Sequence, residues 1–378
     1  MNFVATCLFG LEKLVGEEID SFGFTRTKTI DGRVYFTAPP EAIAVCNIRL
    51  KYAERLLVEV GSFYADTFDK LFEGAKRLPW SDLIGKNDAF PVKGHSVRSK
   101  LFSIPDCQKI IKKAVVESLR ASYRVSLLPE TGVKYQIEFF ALNDTFSLMI
   151  DTSGDSLHKR GYRALSNAAP LRETLAAAMV TLARMRENVI ICDPLCGSGT
   201  IAIEAALIAT GTAPGINRSF AAEEFGWLKR SVWIEERNRA KGEIHPPITR
   251  IFGSDIDPEC VALARDNAKK AGVDDCIEFY NADVTDFVSP IADARGTIVT
   301  NPPYGERMLD LEKARELYTG MGRAFNKSVP SWQYYIISSD GDFERYFGSR
   351  CDKKRPMYNG MIKCSFYQYF KRPKNNAF

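Results

Sequence analysis

At 378 residues, with 45% hydrophobic and 26% charged residues, the chain has the composition of a globular protein long enough for two or three domains. A formal net charge of +4 is too small to define a partner, and no apolar run approaches the roughly 18 residues of a membrane span. Residues 1–5 lack the basic start of a leader, so a cytoplasmic chain without membrane contact is expected. Nine cysteines without CxxC spacing, and only three histidines, support neither a disulfide framework nor a metal site.

In chain order, residues 3–8 read as a strand, 11–19 as an amphipathic helix, 32–37 as a strand and 40–47 as a helix, a small α+β unit. The pattern recurs from 55 to 151: strands at 56–60 and 89–92, a lysine-bearing helix at 104–122, and strands at 135–141 and 145–150. The last two join around Asn143-Asp144, a dipeptide suited to a tight hairpin turn. From Lys76 to Lys134 there are 12 Lys and Arg against 5 Asp and Glu, the footprint of a polyanion-binding surface or of a solvated helix face. Neither segment offers a catalytic constellation, so both read as binding modules.

Past residue 163 the character changes. A helix at 171–185 leads into apolar strands at 189–192, 250–254, 277–280, 296–300, 332–337 and 363–370, separated by helices. Continuous apolar strands alternating with helices predict a Rossmann-like α/β domain, its mainly parallel sheet covered on both faces. Ligands meet such sheets at the carboxyl ends of the strands.

The first of these strands ends in Asp193-Pro194-Leu195-Cys196-Gly197-Ser198-Gly199-Thr200, a Gly-x-Gly turn into a helix that lets a ligand approach backbone amides. Neither the dinucleotide spacing nor a phosphate-loop lysine is present. The second ends in Asp255-Ile256-Asp257-Pro258, where Asp255 can accept ribose hydroxyls and Asp257, before a proline, reads as a helix cap. The third ends at Asp283, placed to accept from an adenine amino group. The fourth ends in Asn301-Pro302-Pro303-Tyr304, and prolines stop a strand because they lack its donor.

This order resembles the S-adenosylmethionine-dependent methyltransferases that modify amino groups. The resemblance implies that Asp193, Cys196, Gly197, Gly199, Asp255, Ile256, Asp283 and Asn301 bind the cofactor and that Asn301, Pro302, Pro303 and Tyr304 line the acceptor pocket. An exocyclic amine is a poor nucleophile because its lone pair is delocalised into the ring. The Asn301 side-chain oxygen and the Pro302 carbonyl can hold its hydrogens and favour the charge that develops on nitrogen. The prolines fix both acceptors in direction, and Tyr304 offers a face for an extruded base.

The amino-terminal half resembles a ferredoxin-like unit followed by a THUMP domain, an RNA-binding module, which divides the chain at 1–58, 59–155 and 156–378. His158-Lys159-Arg160-Gly161-Tyr162-Arg163 and residues 169–178 resemble the junction segments of bacterial THUMP methyltransferases. The likeness is strongest to the guanine-N2 methyltransferases of large-subunit ribosomal RNA, in which Asn-Pro-Pro-Tyr-Gly-Glu-Arg recurs. It implies a monomer or weak homodimer acting on 23S ribosomal RNA or a ribosomal precursor particle. Lys109, Lys112 and Lys113 on one helix, with Arg160 and Arg163 on the connector, are candidate RNA contacts; an interdomain salt bridge is the alternative for the two arginines.

Some relatives carry a second methyltransferase domain, whereas this chain ends at Phe378 after a basic tail, Lys371-Arg372-Pro373-Lys374, so one modification is expected. Transfer-RNA guanine methylation stays open, because single-domain THUMP enzymes include such methyltransferases. So do a non-catalytic RNA-binding assembly factor and a DNA adenine methyltransferase, although the intact glycine turn, Asn301–Tyr304 and the THUMP-like half argue against these two.

Overall fold

The computed structural model describes residues 1–163, 171–305 and 311–370. Two compact units emerge: one of Met1–Cys7, Val15–Leu157 and Ser219–Asn238, the other of Leu8–Leu14, His158–Arg218 and the described part of Arg239–Phe378.

The first unit is built on β1 (Asn2–Cys7), α1 (Glu12–Ser21), β2 (Thr25–Ile30), β3 (Arg33–Thr37), α2 (Ala42–Arg49), β4 (Ala53–Tyr64), α3 (Phe68–Lys76), β5 (Val92–Val97), α4 (Ile104–Tyr123), β6 (Ile137–Leu142) and β7 (Thr145–Asp151). Its seven strands form one sheet in the order β2-β3-β1-β4-β7-β6-β5. β4 runs 12 residues, well beyond the expected 56–60, because Ala53–Val58 pairs with β1 while Leu57–Tyr64 pairs with β7. β5 starts at Val92 rather than at 89, with Ala89 making only an isolated bridge to Lys134.

Asn143 and Asp144 both have positive φ, 50° and 62°, as the β6–β7 turn requires. α4 buries Cys107, Ile111, Ala114, Val115 and Leu119, a helical stripe that leaves Lys109 and Lys113 exposed.

Residues Ser219–Asn238 lie between two strands of the second unit in sequence yet pack in the first. Phe225 stacks on Tyr135 with ring centroids 4.1 Å apart, Trp227 Nε1 donates to the Leu83 carbonyl at 2.9 Å, and Glu236 pairs with Arg49. Sequence pattern cannot disclose this, since an aromatic-rich segment reads as core whichever unit it joins.

The second unit contains α5 (Glu173–Leu182), β8 (Ile190–Asp193), α6 (Thr200–Ala209), the end of α7 (Arg230–Gly242), β9 (Ile251–Asp255), α8 (Pro258–Ala271), β10 (Ile277–Asn281), β11 (Gly296–Thr300), α9 (Leu311–Ser328), β12 (Gln333–Ser338), α10 (Phe343–Phe347), β13 (Lys353–Asn359) and β14 (Ile362–Tyr369). The strand order is β10-β9-β8-β11-β12-β14-β13; β8 to β12 are parallel, while β14 and β13 are antiparallel additions. The chain winds one way from β8 through β10 and the other way from β11 to β12. The carboxyl ends of β8 and β11 therefore mark the switch point, where such sheets bind ligands. Among the described residues no helix is long and apolar enough to cross a membrane.

Candidate active site

The site begins at the end of β8. Asp193 is 2% exposed, and its Oδ1 accepts from Thr300 Oγ1 on β11 at 2.7 Å and from Leu195 N at 3.3 Å. This pair fastens the two strand ends at the switch point. Burial, reinforced by the nearby charge of Asp255, pushes the Asp193 carboxyl up to about 7.

The turn after it is pinned to β9: Cys196 N donates to the Ser254 carbonyl at 2.9 Å and Gly197 N to Asp255 Oδ2 at 2.9 Å. Gly199, with φ 84°, caps α6; a Cβ there would meet Ala264 Cβ at 3.0 Å and the Phe279 ring at 3.3 Å, so a side chain would force the turn away from α8. The space beside Gly197 is open, with no heavy atom within 4 Å of where a Cβ would stand. Burial raises the Cys196 thiol far above its usual range, which leaves it neutral and unreactive.

At the end of β9, Asp255 Oδ1 accepts from Asp257 N at 3.1 Å while Oδ2 holds Gly197 N. Each carboxylate oxygen keeps lone-pair capacity for a further donor. Asn281 Nδ2 clips the same corner by donating to the carbonyls of Asp255 and Ile256, both at 2.8 Å. Ile256 is left 61% exposed, an apolar platform at a strand end. Asp257 caps α8 through Glu259 N at 2.8 Å. Asp283 Oδ1 takes both the Thr285 N and Oγ1 at 2.8 Å, so one of its oxygens is committed to its own turn.

At the end of β11, the Tyr304 hydroxyl donates to Asn301 Oδ1 at 2.6 Å, and its other neighbours are the side chains of Asn359 and Cys364. Burial raises the Tyr304 hydroxyl well above its ordinary value, so it stays protonated and remains a donor. Tyr318 of α9, itself buried, donates to the Pro303 carbonyl at 2.7 Å and fixes the second proline from below. Glu306, Arg307, Ala169, Pro170 and the tail from Lys371 lie outside the described residues.

Three family descriptions match in succession: an RlmL ferredoxin-like domain over residues 2–57, a THUMP domain over 65–151, and an RMKL-like methyltransferase domain over 160–368. The last covers more than half of the chain. The chain belongs to the RMKL-like methyltransferases. Bacillus subtilis YpsC, whose name assigns it provisionally to the RNA methyltransferases, is 42% identical over 98% of this chain and 96% of its own length. A Shewanella protein named ribosomal RNA large subunit methyltransferase K/L is 31% identical over 98% of this chain but only 53% of its own. This chain thus spans about half the length of that relative. The solved structure of SMU.472, titled as a methyltransferase, provisionally, in complex with SAH, superposes with a TM-score of 0.91 at 40% identity, covering 98% of each chain.

This RMKL-like methyltransferase is therefore S-adenosylmethionine-dependent, and its strand ends fit that cofactor. Gly197 leaves open space, Asp255 retains acceptor capacity, and Ile256 supplies an exposed apolar face. Five of the nine cysteines are buried.

The candidate RNA contacts are placed less uniformly. Lys109 and Lys113 are exposed; Lys109 has only a 3.9 Å pairing with Asp106, and Lys113 Nζ lies 5.5 Å from the Phe72 ring. Lys112 differs. Its Nζ bonds Glu130 at 2.6 Å and the Phe90 carbonyl at 3.2 Å, and sits 3.6 Å over the Phe90 ring, so it holds its own unit together.

The two arginines need correction. Arg160 is 6% exposed with its guanidinium on Glu204 at 3.4 Å, where the Tyr162 hydroxyl also donates. Arg163 bonds Glu173 at 2.8 Å, Thr200 Oγ1 at 3.2 Å and the Leu171 carbonyl at 3.2 Å. Both are ion pairs within the catalytic unit, bracing α5 and α6 behind the glycine turn, because buried carboxylates demand a partner. Sequence reasoning missed Thr300, Asn281, Tyr318, Asn359 and Cys364. Only Thr300, directly before Asn301, offered a positional clue.

Proposed function

We propose that this enzyme methylates the exocyclic N2 amine of a guanosine in large-subunit ribosomal RNA. In this reading it works, as a monomer or weak homodimer, in three parts: a ferredoxin-like part (1–58), a THUMP part that grips RNA (59–155) and a catalytic part (156–378). Asp193, Cys196, Gly197, Gly199, Asp255, Ile256 and Asp283 hold the cofactor, which supplies an electrophilic sulfonium methyl, and Asn301 borders it from the acceptor side.

The observation that carries the reading is the 2.6 Å hydrogen bond from Tyr304 to Asn301 Oδ1 beside the cofactor turn. The Tyr304 hydroxyl donates to Asn301 Oδ1 and holds the carboxamide in place. That oxygen has a second lone pair for a substrate amine hydrogen, and the Pro302 carbonyl can take the other. Charge developing on nitrogen is then met by two fixed acceptors that need no reorganisation. No general base is invoked, since the proton leaves an already cationic amine.

The test is methyl transfer from tritium-labelled S-adenosylmethionine by the purified full chain to bulk RNA from cells lacking it, followed by nucleoside separation. Label in N2-methylguanosine of large-subunit RNA is the expected result. Label confined to transfer RNA would move the substrate, and no label in any RNA would leave a binding role.

A further inference from the structure

β13 and β14 form an antiparallel hairpin whose register runs from Lys353↔Gln368 to Asn359↔Ile362, leaving Gly360 and Met361 as a two-residue turn. Gly360 has φ 64°, which the first central position of such a turn demands. Met361 is thereby held out at the tip, 97% exposed. A lone surface methionine needs no explanation, but this one has company. Tyr358 lies edge-on to Phe9, with centroids 5.7 Å apart, and Phe9 is itself 44% exposed.

Charge follows the same hairpin. Lys353 to Tyr369 contains Lys353, Lys354, Arg355 and Lys363 and no acidic residue. Lys363 is exposed and stands directly across from Tyr358. Lys354 is engaged with the Tyr367 ring at 4.6 Å, and Lys353 is exposed at the end of the hairpin away from the turn. The register places Asn359 and Cys364 on the other face of the hairpin, and these are the side chains that meet the Tyr304 hydroxyl. One element therefore carries an apolar tip with Lys363 beside it, while the residues bordering its turn meet the candidate acceptor tyrosine.

We propose that this hairpin is an RNA wedge: Met361 enters the base stack and fills the gap left by the extruded target, Tyr358 and Phe9 pack on the neighbouring nucleotide, and Lys363 holds a flanking phosphate. Extruding a stacked base costs energy, and inserted methionine side chains are one of the means by which proteins open a nucleic-acid stack. An apolar tip alone would suit a protein partner equally well; a hairpin with four basic residues and no acidic one, whose turn-bordering residues meet Tyr304, favours a nucleic acid. The inference rests on the reading of the chain as an RNA base methyltransferase.

Its test compares full-length wild type with Met361→Ser, a change at an exposed tip that leaves the core intact. The probes are bulk RNA from cells lacking the protein, folded, and the same RNA cut to short heat-denatured fragments. On folded RNA, Met361→Ser should lower kcat/KM about tenfold, the scale of one lost stacking contact, with SAH affinity by calorimetry unchanged. On denatured fragments the difference should largely close, because a base already unstacked needs no wedge. Wild-type turnover on folded RNA, or an equal loss on both probes, would overturn the wedge. So would a changed sedimentation mass with intact turnover, which would assign the tip to a second copy. If wild type methylates neither probe, the parent reading fails instead.

Discussion

Asn301 and Asp193 occupy the ends of neighbouring strands, and the chemistry proposed for each leads to a separate measurement. Replacing Asn301 by Ala removes the oxygen that takes the Tyr304 hydroxyl and, in the proposed mechanism, the substrate amine. Methyl transfer should fall on the order of a hundredfold to a thousandfold, comparable to loss of a preorganised transition-state contact, with SAH affinity nearly unchanged. Equal loss of binding and turnover would displace Asn301 from the acceptor pocket. Asp193, with its carboxyl pushed up from 3.8 to about 7, makes stability depend on pH. The folded protein holds this proton more tightly than the unfolded chain does, so the contribution is full below about 4 and is lost as pH rises through about 7. Thermal unfolding followed from pH 5 to 8 should show a falling midpoint, and Asp193→Asn should flatten that slope; an unchanged slope would refute the assignment.

The strand-end motifs were legible in the sequence because each is a short run on one turn. Their cross-links were not. Thr300 and Asp193 are 107 residues apart, and only the parallel pairing of β8 with β11 brings them together.

Among the elements, those with strong apolar periodicity were readable, and those with polar or edge character were not. β2 is exposed along nearly its whole length, and β13 begins with two lysines and an arginine and contains Pro356, so neither carries an alternating apolar pattern. α4 was legible from its buried stripe, and its outer face makes a prediction. Lys109→Glu combined with Lys113→Glu should weaken RNA binding and reduce the salt dependence by about one to two in log-log slope, while leaving cofactor affinity alone. Filter binding across a salt series checks this, and an unchanged slope would remove α4 from the RNA-gripping surface.

The segment Ser219–Asn238 makes a different prediction. Phe225 is 2% exposed and stacked on Tyr135, so Phe225→Ala should destabilise the protein by about 3 kcal/mol in denaturant unfolding. It also means that cutting away residues 1–157 would expose this aromatic segment; charge reversal on α4 in the full chain is the cleaner probe of substrate gripping.

On the scale of the whole molecule, the chain passes repeatedly between its units, with residues 8–14 counted in the second and Ser219–Asn238 in the first. A linear reading of boundaries cannot foresee such exchanges, because hydrophobic pattern reports burial and not the identity of the covering surface. The doubly wound sheet nevertheless follows from its sequence, its strand ends holding the cofactor motifs, whereas the joining of strands from 1–58 and 59–155 into one mixed sheet does not, because pairing partners leave no mark on apolar pattern. The central claim is that the unit with the mixed sheet grips RNA so that the unit with the doubly wound sheet can methylate a guanine amine. Mass spectrometry of digested large-subunit ribosomal RNA from cells with and without the protein tests it most directly. The account predicts that one N2-methylguanosine disappears when the protein is absent; an unchanged complement of N2-methylguanosine in that RNA would contradict it.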